Sequence, residues 1–275
     1  MLTRLAQPAF GAWQYTNVDA GYKSGSGQMT FKLEPMACAA EFRLYRNVQT
    51  GGPYDYLATS NSVTWKGNVT SSPRHVRVAY GTKPQTEATV SWTSDDGANK
   101  AVLYVGTQPG GYEFVAAADL PLTYTNDDLC APSGSYTFPG YFHHTLLAGL
   151  KAGTRYHVLP SQNGVNGTET SFVTGKPVGA FVPTRFAMYG DMLMSGGLGG
   201  VATVAHLQAQ IGSLDYVLHV GDISYGEGNV GTWNAWHAVA SDITSKLPYM
   251  VSIGASRSIT HSHYNIPFCS PDSPL

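Results

Sequence analysis

Short segments in which apolar and polar residues alternate follow one another closely between residues 72 and 178. Alternation places one side of a segment in a core and the other side in solvent, which is the pattern of a half-buried β-strand. About seven such strands separated by turns, over roughly 105 residues, are typical of an immunoglobulin-like β-sandwich. Six of these strands have clear bounds: Val76–Tyr80, Ala88–Trp92, Lys100–Val105, His143–Leu147, Arg155–Leu159 and Glu169–Val173.

The composition supports a β-rich protein and excludes several functional classes. Charged residues make up 12% of the 275 residues, about half of the ~25% usual in soluble proteins. The 16 Lys and Arg residues against 18 Asp and Glu residues give a net charge of −2, so no basic nucleic-acid-binding surface is expected. No apolar run reaches the ~18 residues of a membrane span. Three cysteines are too few for a disulfide scaffold.

After a linker at 176–180 the pattern changes to strands that alternate with helices. Compact apolar segments predict strands at 185–189, 215–220 and 248–253, with helices at 200–211 and 232–247 between them. In the first helix, the predicted buried face consists of Val201, Val204, Leu207 and Ile211. A strand–helix–strand–helix–strand order predicts a parallel sheet covered by helices.

Two of these predicted strands end in the dipeptide Gly-Asp. Asp191 and Asp222 are 31 residues apart, and Tyr225 follows the second aspartate by three residues. Because the carboxyl ends of parallel strands share one edge of a sheet, the two carboxylates are expected to meet there and to bind hard cations. A strand-end aspartate can also merely cap the next helix or close a turn.

These residues resemble the motifs of the purple acid phosphatases, within the metallophosphoesterase superfamily. Gly190–Met192 resembles the first motif of that family, Gly221–Tyr225 the second motif GDxxY, and Pro248–Gly254 the strand that enters the third. The sandwich block, including Leu150–Tyr156 and Gly140–His144, resembles the fibronectin type III-like domain of the larger plant and algal members. The resemblance implies this sandwich followed by the first part of the metallophosphoesterase α/β domain.

The resemblance also implies a site and a reaction. Asp191 and Tyr225 would bind a ferric ion, and Asp222 would bridge it to a second divalent metal, which is Zn, Mn or Fe. The reaction would be the hydrolysis of a phosphate monoester, with no nucleic acid or membrane as partner. Secretion or a vacuolar location is also implied, although Met1–Gln14 is not a recognisable signal peptide.

The third motif of the family is where this sequence departs from it. The family has GNHE, whose Asn binds the second metal and whose His assists catalysis, whereas Gly254 is followed here by Ala255 and Ser256. No catalytic His is therefore predicted, and the later His motifs have no counterpart before Leu275. Residues 255–275 are expected to form a disordered tail in which His261 and His263 bind no metal. Weak or absent phosphatase activity is the expectation for a chain truncated in this way.

Two alternatives to a phosphomonoesterase stay open from the sequence. One is a non-catalytic β-sandwich binding protein with a vestigial catalytic fragment, and the other is a nucleotide phosphodiesterase of the same family. The expected domains are a β region at 1–71, the sandwich at 72–178 and the partial α/β domain at 184–254. Predicted strands in the β region are 29–33, 41–45 and 62–65. Asn68 and Asn166 are candidate N-glycosylation sites because each begins an N-x-Thr sequence.

Overall fold

The N-terminal region contributes a short helix and a hairpin. The computed structural model describes residues 20–28, 41–47, 54–63, 72–97, 100–125, 128, 138–179, 181, 183–192, 198–225 and 230–252. A 3₁₀ helix spans Ala20–Ser24, and strands β1 (Arg43–Asn47) and β2 (Tyr54–Thr59) pair antiparallel. The sequence did not predict β2. The predicted strand at 29–33 lies outside the described residues, as does part of the one at 62–65.

Two antiparallel sheets form the predicted sandwich. Its strands are β3 (Arg74–Tyr80), β4 (Ala88–Ser94), β5 (Ala101–Gly106), β6 (Phe114–Ala117), β7 (Tyr141–Leu147), β8 (Arg155–Gln162), β9 (Val165–Asn166) and β10 (Thr170–Val173). One sheet has the order β3-β4-β7, and the other has the order β10-β8-β5-β6 with β9 paired to β8. All six strands predicted for this block are confirmed, and the short β6 and β9 are additional.

The sandwich core lies between the inward faces of the two sheets. Trp92, Leu103 and Val158 are fully buried there, each within a strand whose burial alternates, and Phe172 of β10 is fully buried beside them. The amide of Lys151 donates a hydrogen bond of 2.9 Å to the hydroxyl of Tyr156, which closes the turn before β8. This is the type of corner that fixes a sandwich turn through a tyrosine. The apolar alternation therefore accounts for the fold of this block.

A three-stranded parallel sheet with two helices follows. The elements are β11 (Phe186–Tyr189), α1 (Leu198–Gln208), β12 (Tyr216–His219), α2 (Val230–Thr244) and β13 (Tyr249–Val251), and the strand order is β11-β12-β13. Val204, Leu207, Trp236 and Ile243 of the helices form one buried cluster with Val217 of the sheet. The predicted strand–helix alternation is confirmed. Neither α-helix of the described residues has the length and hydrophobicity of a membrane span.

One residue of the predicted buried face of α1 is exposed. Val201 has 49% of its surface exposed, whereas Val204 and Leu207 are buried. Successive helical residues are rotated by about 100°, so each step of three residues falls about 60° short of a full turn. Val201 therefore lies about 120° around the helix from Leu207 and faces solvent. The prediction for Val201 was wrong because a spacing of three was extended over two steps.

The sandwich contacts the α/β part through β3 and α2. His75 on β3 stacks on His237 of α2 with ring centroids 4.6 Å apart, and Arg77 Nη1 lies 3.4 Å from His237 Nε2. The hydroxyl of Thr244 donates to the carbonyl of Val76 across the same contact. Burial, together with the neighbouring Arg74 and Arg77 charges, holds the pKa of His75 and of His237 well below the usual value of 6.5. The contact therefore consists of neutral imidazoles beside guanidinium groups.

This contact makes the folded chain sensitive to acid. Below pH 6.5 the unfolded chain binds protons at His75 and His237 that the folded chain does not bind. Stability is therefore highest above that pH and falls as the pH decreases, by about 1.4 kcal/mol per pH unit for each histidine. We expect His237→Gln to reduce the slope by about that amount in urea unfolding measured between about pH 5 and 7.5.

The exposed His206 on α1 offers a matched control for this measurement. His206→Gln removes a histidine that lies outside the β3–α2 contact, so a change of slope common to both variants would not be due to that contact. An unchanged slope in His237→Gln would contradict the assignment of the acid sensitivity to the β3–α2 contact.

Candidate metal centre

The carboxyl ends of β11 and β12 are held together by backbone hydrogen bonds. Parallel pairing places Tyr189 opposite His219, and the amide of Val220 donates to the carbonyl of Tyr189 at 2.8 Å. Beyond the strands, the amide of Asp191 donates to the carbonyl of Gly221 at 3.3 Å, and that of Met192 to the carbonyl of Asp222 at 3.0 Å. The two Gly-Asp turns therefore form one structural unit.

The three predicted side chains converge at this edge of the sheet. The hydroxyl of Tyr225 donates a hydrogen bond to Asp191 Oδ1, and the same hydroxyl lies 3.4 Å from Asp222 Oδ2. One phenol oxygen and two carboxylates are hard, anionic or ionisable donors of the kind that ferric and other oxygen-preferring ions bind. The structure therefore brings Asp191, Asp222 and Tyr225 into one cluster.

All three residues have a backbone conformation that L-residues rarely adopt. The φ angles are +56° at Asp191, +52° at Asp222 and +50° at Tyr225, and Gly221 has φ +95°. Aspartate tolerates this left-handed region moderately well, whereas a bulky residue such as tyrosine does so at a cost of about 1–3 kcal/mol. Strained conformations of this kind concentrate at functional sites. The strained backbone of Tyr225 therefore marks this residue as a candidate functional residue.

The electrostatics of the cluster fit a cation. The hydrogen bond to Asp191 raises the pKa of Tyr225 above its usual value of 10, and burial and the charge of Asp222 act in the same direction. The phenol proton therefore occupies the place between the two carboxylates where positive charge is most favourable. A bound metal ion stabilises a phenolate directly and reverses this preference. The donor set thus fits an oxygen-preferring cation, to which it would offer three oxygens.

The cluster is smaller than a complete two-metal site. No group of three or more His, Cys, Asp or Glu side chains that could hold a metal occurs among the described residues. Gly254, Ala255 and Ser256 lie outside the described residues, and so do His261 and His263. Among the described residues, Asp191, Asp222 and Tyr225 are therefore the candidate ligands.

His219 lies beneath this cluster and was not singled out from the sequence. It is fully buried on β12, and its Nδ1 lies 2.7 Å from the hydroxyl of Tyr249. Burial lowers the pKa of His219 to about 4, although the charges of Asp191 and Asp222 oppose this shift. A lone histidine in an apolar strand three residues before Asp222 was the signal that could have identified it.

Other histidine and tryptophan side chains of the described residues lie in the two cores. His143 is fully buried in the sandwich, where it stacks on Trp92 and shares a hydrogen bond of 2.9 Å with Ser94. Trp236 belongs to the helix core, and Trp233 lies edge-on to it. These side chains serve packing, which leaves the Asp191–Asp222–Tyr225 cluster as the candidate site.

Fold and site together define a two-part chain, a β-sandwich followed by an α/β unit with a carboxylate–phenol cluster at the ends of its strands. The family model for the purple acid phosphatase N-terminal domain matches residues 73–174. The structure of a purple acid phosphatase from yellow lupin seeds superposes with a TM-score of 0.67 and 25% identity, covering 79% of this chain and 40% of that one. Residues 73–174 are assigned to the purple acid phosphatase N-terminal domain, and the chain as a whole is similar to a plant purple acid phosphatase.

Curated relatives from Arabidopsis thaliana support this assignment. Probable inactive purple acid phosphatase 24 is 26% identical over 88% of this chain, and purple acid phosphatase 22 is 29% identical over 67%. The matches cover 42% and 38% of those proteins, so the chain spans about two fifths of their length. The first of these relatives is named as probably inactive, whereas the name of the second carries no such statement.

Ferric ion should stabilise the folded chain through this cluster. At a free ion concentration of 100 times the dissociation constant, binding adds about 2.7 kcal/mol to the free energy of unfolding. We expect a rise of several degrees in Tm for the wild type in calorimetry with ferric citrate, and little rise for Asp191→Asn or Asp222→Asn. Asp242→Asn, on the half-exposed side of α2, should keep the full shift. A full shift in Asp191→Asn would rule out this cluster as the binding site.

Proposed function

We propose that this chain carries the ferric half of a phosphomonoesterase site of the purple acid phosphatase type. Asp191 and Tyr225 would hold the ferric ion, and Asp222 would be shared with a second, divalent ion of zinc, manganese or iron. The single observation that carries this proposal is the convergence of the Tyr225 hydroxyl on both carboxylates at the paired strand ends. A phosphate monoester is the proposed substrate.

Two bound cations would supply charge neutralisation for the phosphoryl oxygens and lower the pKa of water near them. The residues of this chain would position the two ions. The backbone bonds between the two Gly-Asp turns fix the separation of the carboxylates, and Tyr225 would give up its proton on loading. Ionised Tyr225 would then present a third anionic oxygen beside Asp191 and Asp222.

The extent of activity depends on ligands that this sequence does not carry in the third motif. Ala255 and Ser256 stand where the family has the metal-binding Asn and the catalytic His, so one ligand of the second ion and the catalytic imidazole would be missing. We therefore propose firm binding of one ion and weak or absent hydrolysis. Relatives named as probable inactive purple acid phosphatases are compatible with this proposal.

A secreted or vacuolar location would make one asparagine available for glycosylation. Asn166 is exposed on β9 and begins the sequence Asn-Gly-Thr. The proposed modification at this position is an N-linked glycan. Asn68, the other candidate, lies outside the described residues.

Absorption spectra and activity together test the proposed function. Iron-loaded wild type should show a visible charge-transfer band from a tyrosine phenolate to the ferric ion, and Tyr225→Phe should lose that band. With zinc added, hydrolysis of nitrophenyl phosphate at acid pH should be weak, and Asp222→Asn should abolish it. Tyr216→Phe, at the opposite ends of the strands, is the matched control and should keep the band.

Three results would each contradict the proposal. The first is the absence of any visible band from iron-loaded wild type. The second is a band that survives Tyr225→Phe. The third is hydrolysis unaffected by both Asp191→Asn and Asp222→Asn, which would favour a non-catalytic sandwich protein with activity from a contaminant.

A further inference from the structure

Three polar side chains, one from each strand of the parallel sheet, form a hydrogen-bonded chain below the candidate metal centre. The hydroxyls of Tyr189 on β11 and Tyr249 on β13 are 2.5 Å apart, and the Tyr249 hydroxyl lies 2.7 Å from Nδ1 of His219 on β12. His219 and Tyr249 are buried. The side chains of all three strands are therefore connected on the face that packs against the helices.

The position of these three side chains along the strands links them to the candidate metal centre. Tyr189 lies two residues before Asp191, and His219 lies three residues before Asp222. The rings of Tyr189 and His219 are also in contact, with centroids 4.8 Å apart. Any sliding of β11 relative to β12 would break both the ring contact and the hydrogen bonds, and it would change the separation of the two carboxylates.

Burying the polar atoms of these three side chains costs free energy. His219 packs beside Trp236, and its Nε2 is buried without a hydrogen-bond partner among the described residues. A buried polar atom left without a partner destabilises a fold, and apolar residues of the same shape would often serve the core as well. In return, a hydrogen-bonded network of polar side chains holds the groups that it joins in a single defined arrangement.

We propose that Tyr189, Tyr249 and His219 are positioning residues that set the separation and orientation of Asp191 and Asp222. This inference rests on the proposed function, in which those two carboxylates hold metal. The three side chains act through the strand ends and touch neither carboxylate in the described contacts. Residues that hydrogen-bond directly to metal ligands typically change metal affinity by about 10- to 100-fold when they are removed, and we take that range as the scale for these indirect contacts.

Tyr249→Phe removes the central hydroxyl and both hydrogen bonds of the chain. The matched control is Tyr80→Phe, since the Tyr80 hydroxyl bonds to the carbonyl of Asp215 at the opposite ends of the same strands. We expect ferric ion, titrated by its visible band, to bind about 10- to 100-fold more weakly to Tyr249→Phe. Tyr80→Phe should bind as the wild type does, within about a factor of two.

A second readout needs no metal. The amides of Asp191 and Met192 bond across the two turns, so their hydrogen exchange reports how firmly the strand ends are held together. Relative to the most protected amides of each variant, exchange of these two amides should be at least several-fold faster in Tyr249→Phe than in Tyr80→Phe. His219→Asn can keep a nitrogen near the Tyr249 hydroxyl, so its exchange and affinity should be closer to those of the wild type than the exchange and affinity of His219→Leu.

The outcomes separate the two proposals. If the wild type binds no ferric ion while Tyr249→Phe still accelerates exchange at Asp191 and Met192, the proposed function fails and the positioning role stands. If Tyr249→Phe and Tyr80→Phe give equal exchange and equal affinity, the positioning role is overturned. Should Tyr249→Phe not fold, Tyr189→Phe removes only the terminal hydroxyl of the chain and allows the same comparison.

Discussion

The parallel pairing of β11 with β12 is the constraint on which the candidate site depends. Backbone bonds continue past the last strand residues, where the amides of Asp191 and Met192 reach the carbonyls of Gly221 and Asp222. Two aspartates that are 31 residues apart in sequence thereby become neighbours. The helices α1 and α2 support this pairing from one side, and α2 in turn packs against β3 of the sandwich. Sandwich and site are therefore parts of one packed arrangement.

The residues of the candidate metal centre have strained backbone conformations that lower local stability. Asp191, Asp222 and Tyr225 all have left-handed backbone conformations, and two carboxylates share a single phenol proton between them. The left-handed conformations cost free energy. A cation bound between the three oxygens would compensate the charges. The combination of strain and converging anionic donors distinguishes this cluster from an ordinary turn that caps a helix.

The sequence predicted what depends on short-range patterns. Strands of the sandwich followed from alternation, and the meeting of Asp191, Asp222 and Tyr225 followed from the topology rule for parallel strands. Two kinds of feature were not predicted from the sequence. His219 bonds to Tyr249, 30 residues away, and Arg77 contacts His237, 160 residues away, and no local pattern encodes such pairings. Val201 was placed on the wrong face of α1 because a spacing of three residues drifts around a helix.

Anomalous diffraction at the iron edge from crystals of the iron-loaded chain would show where the ion binds. We expect a single strong iron peak within bonding distance of carboxylate oxygens of Asp191 and Asp222 and the phenolate oxygen of Tyr225. An iron peak elsewhere in the chain, or none while Tyr225 keeps its hydrogen bond to Asp191, would contradict it.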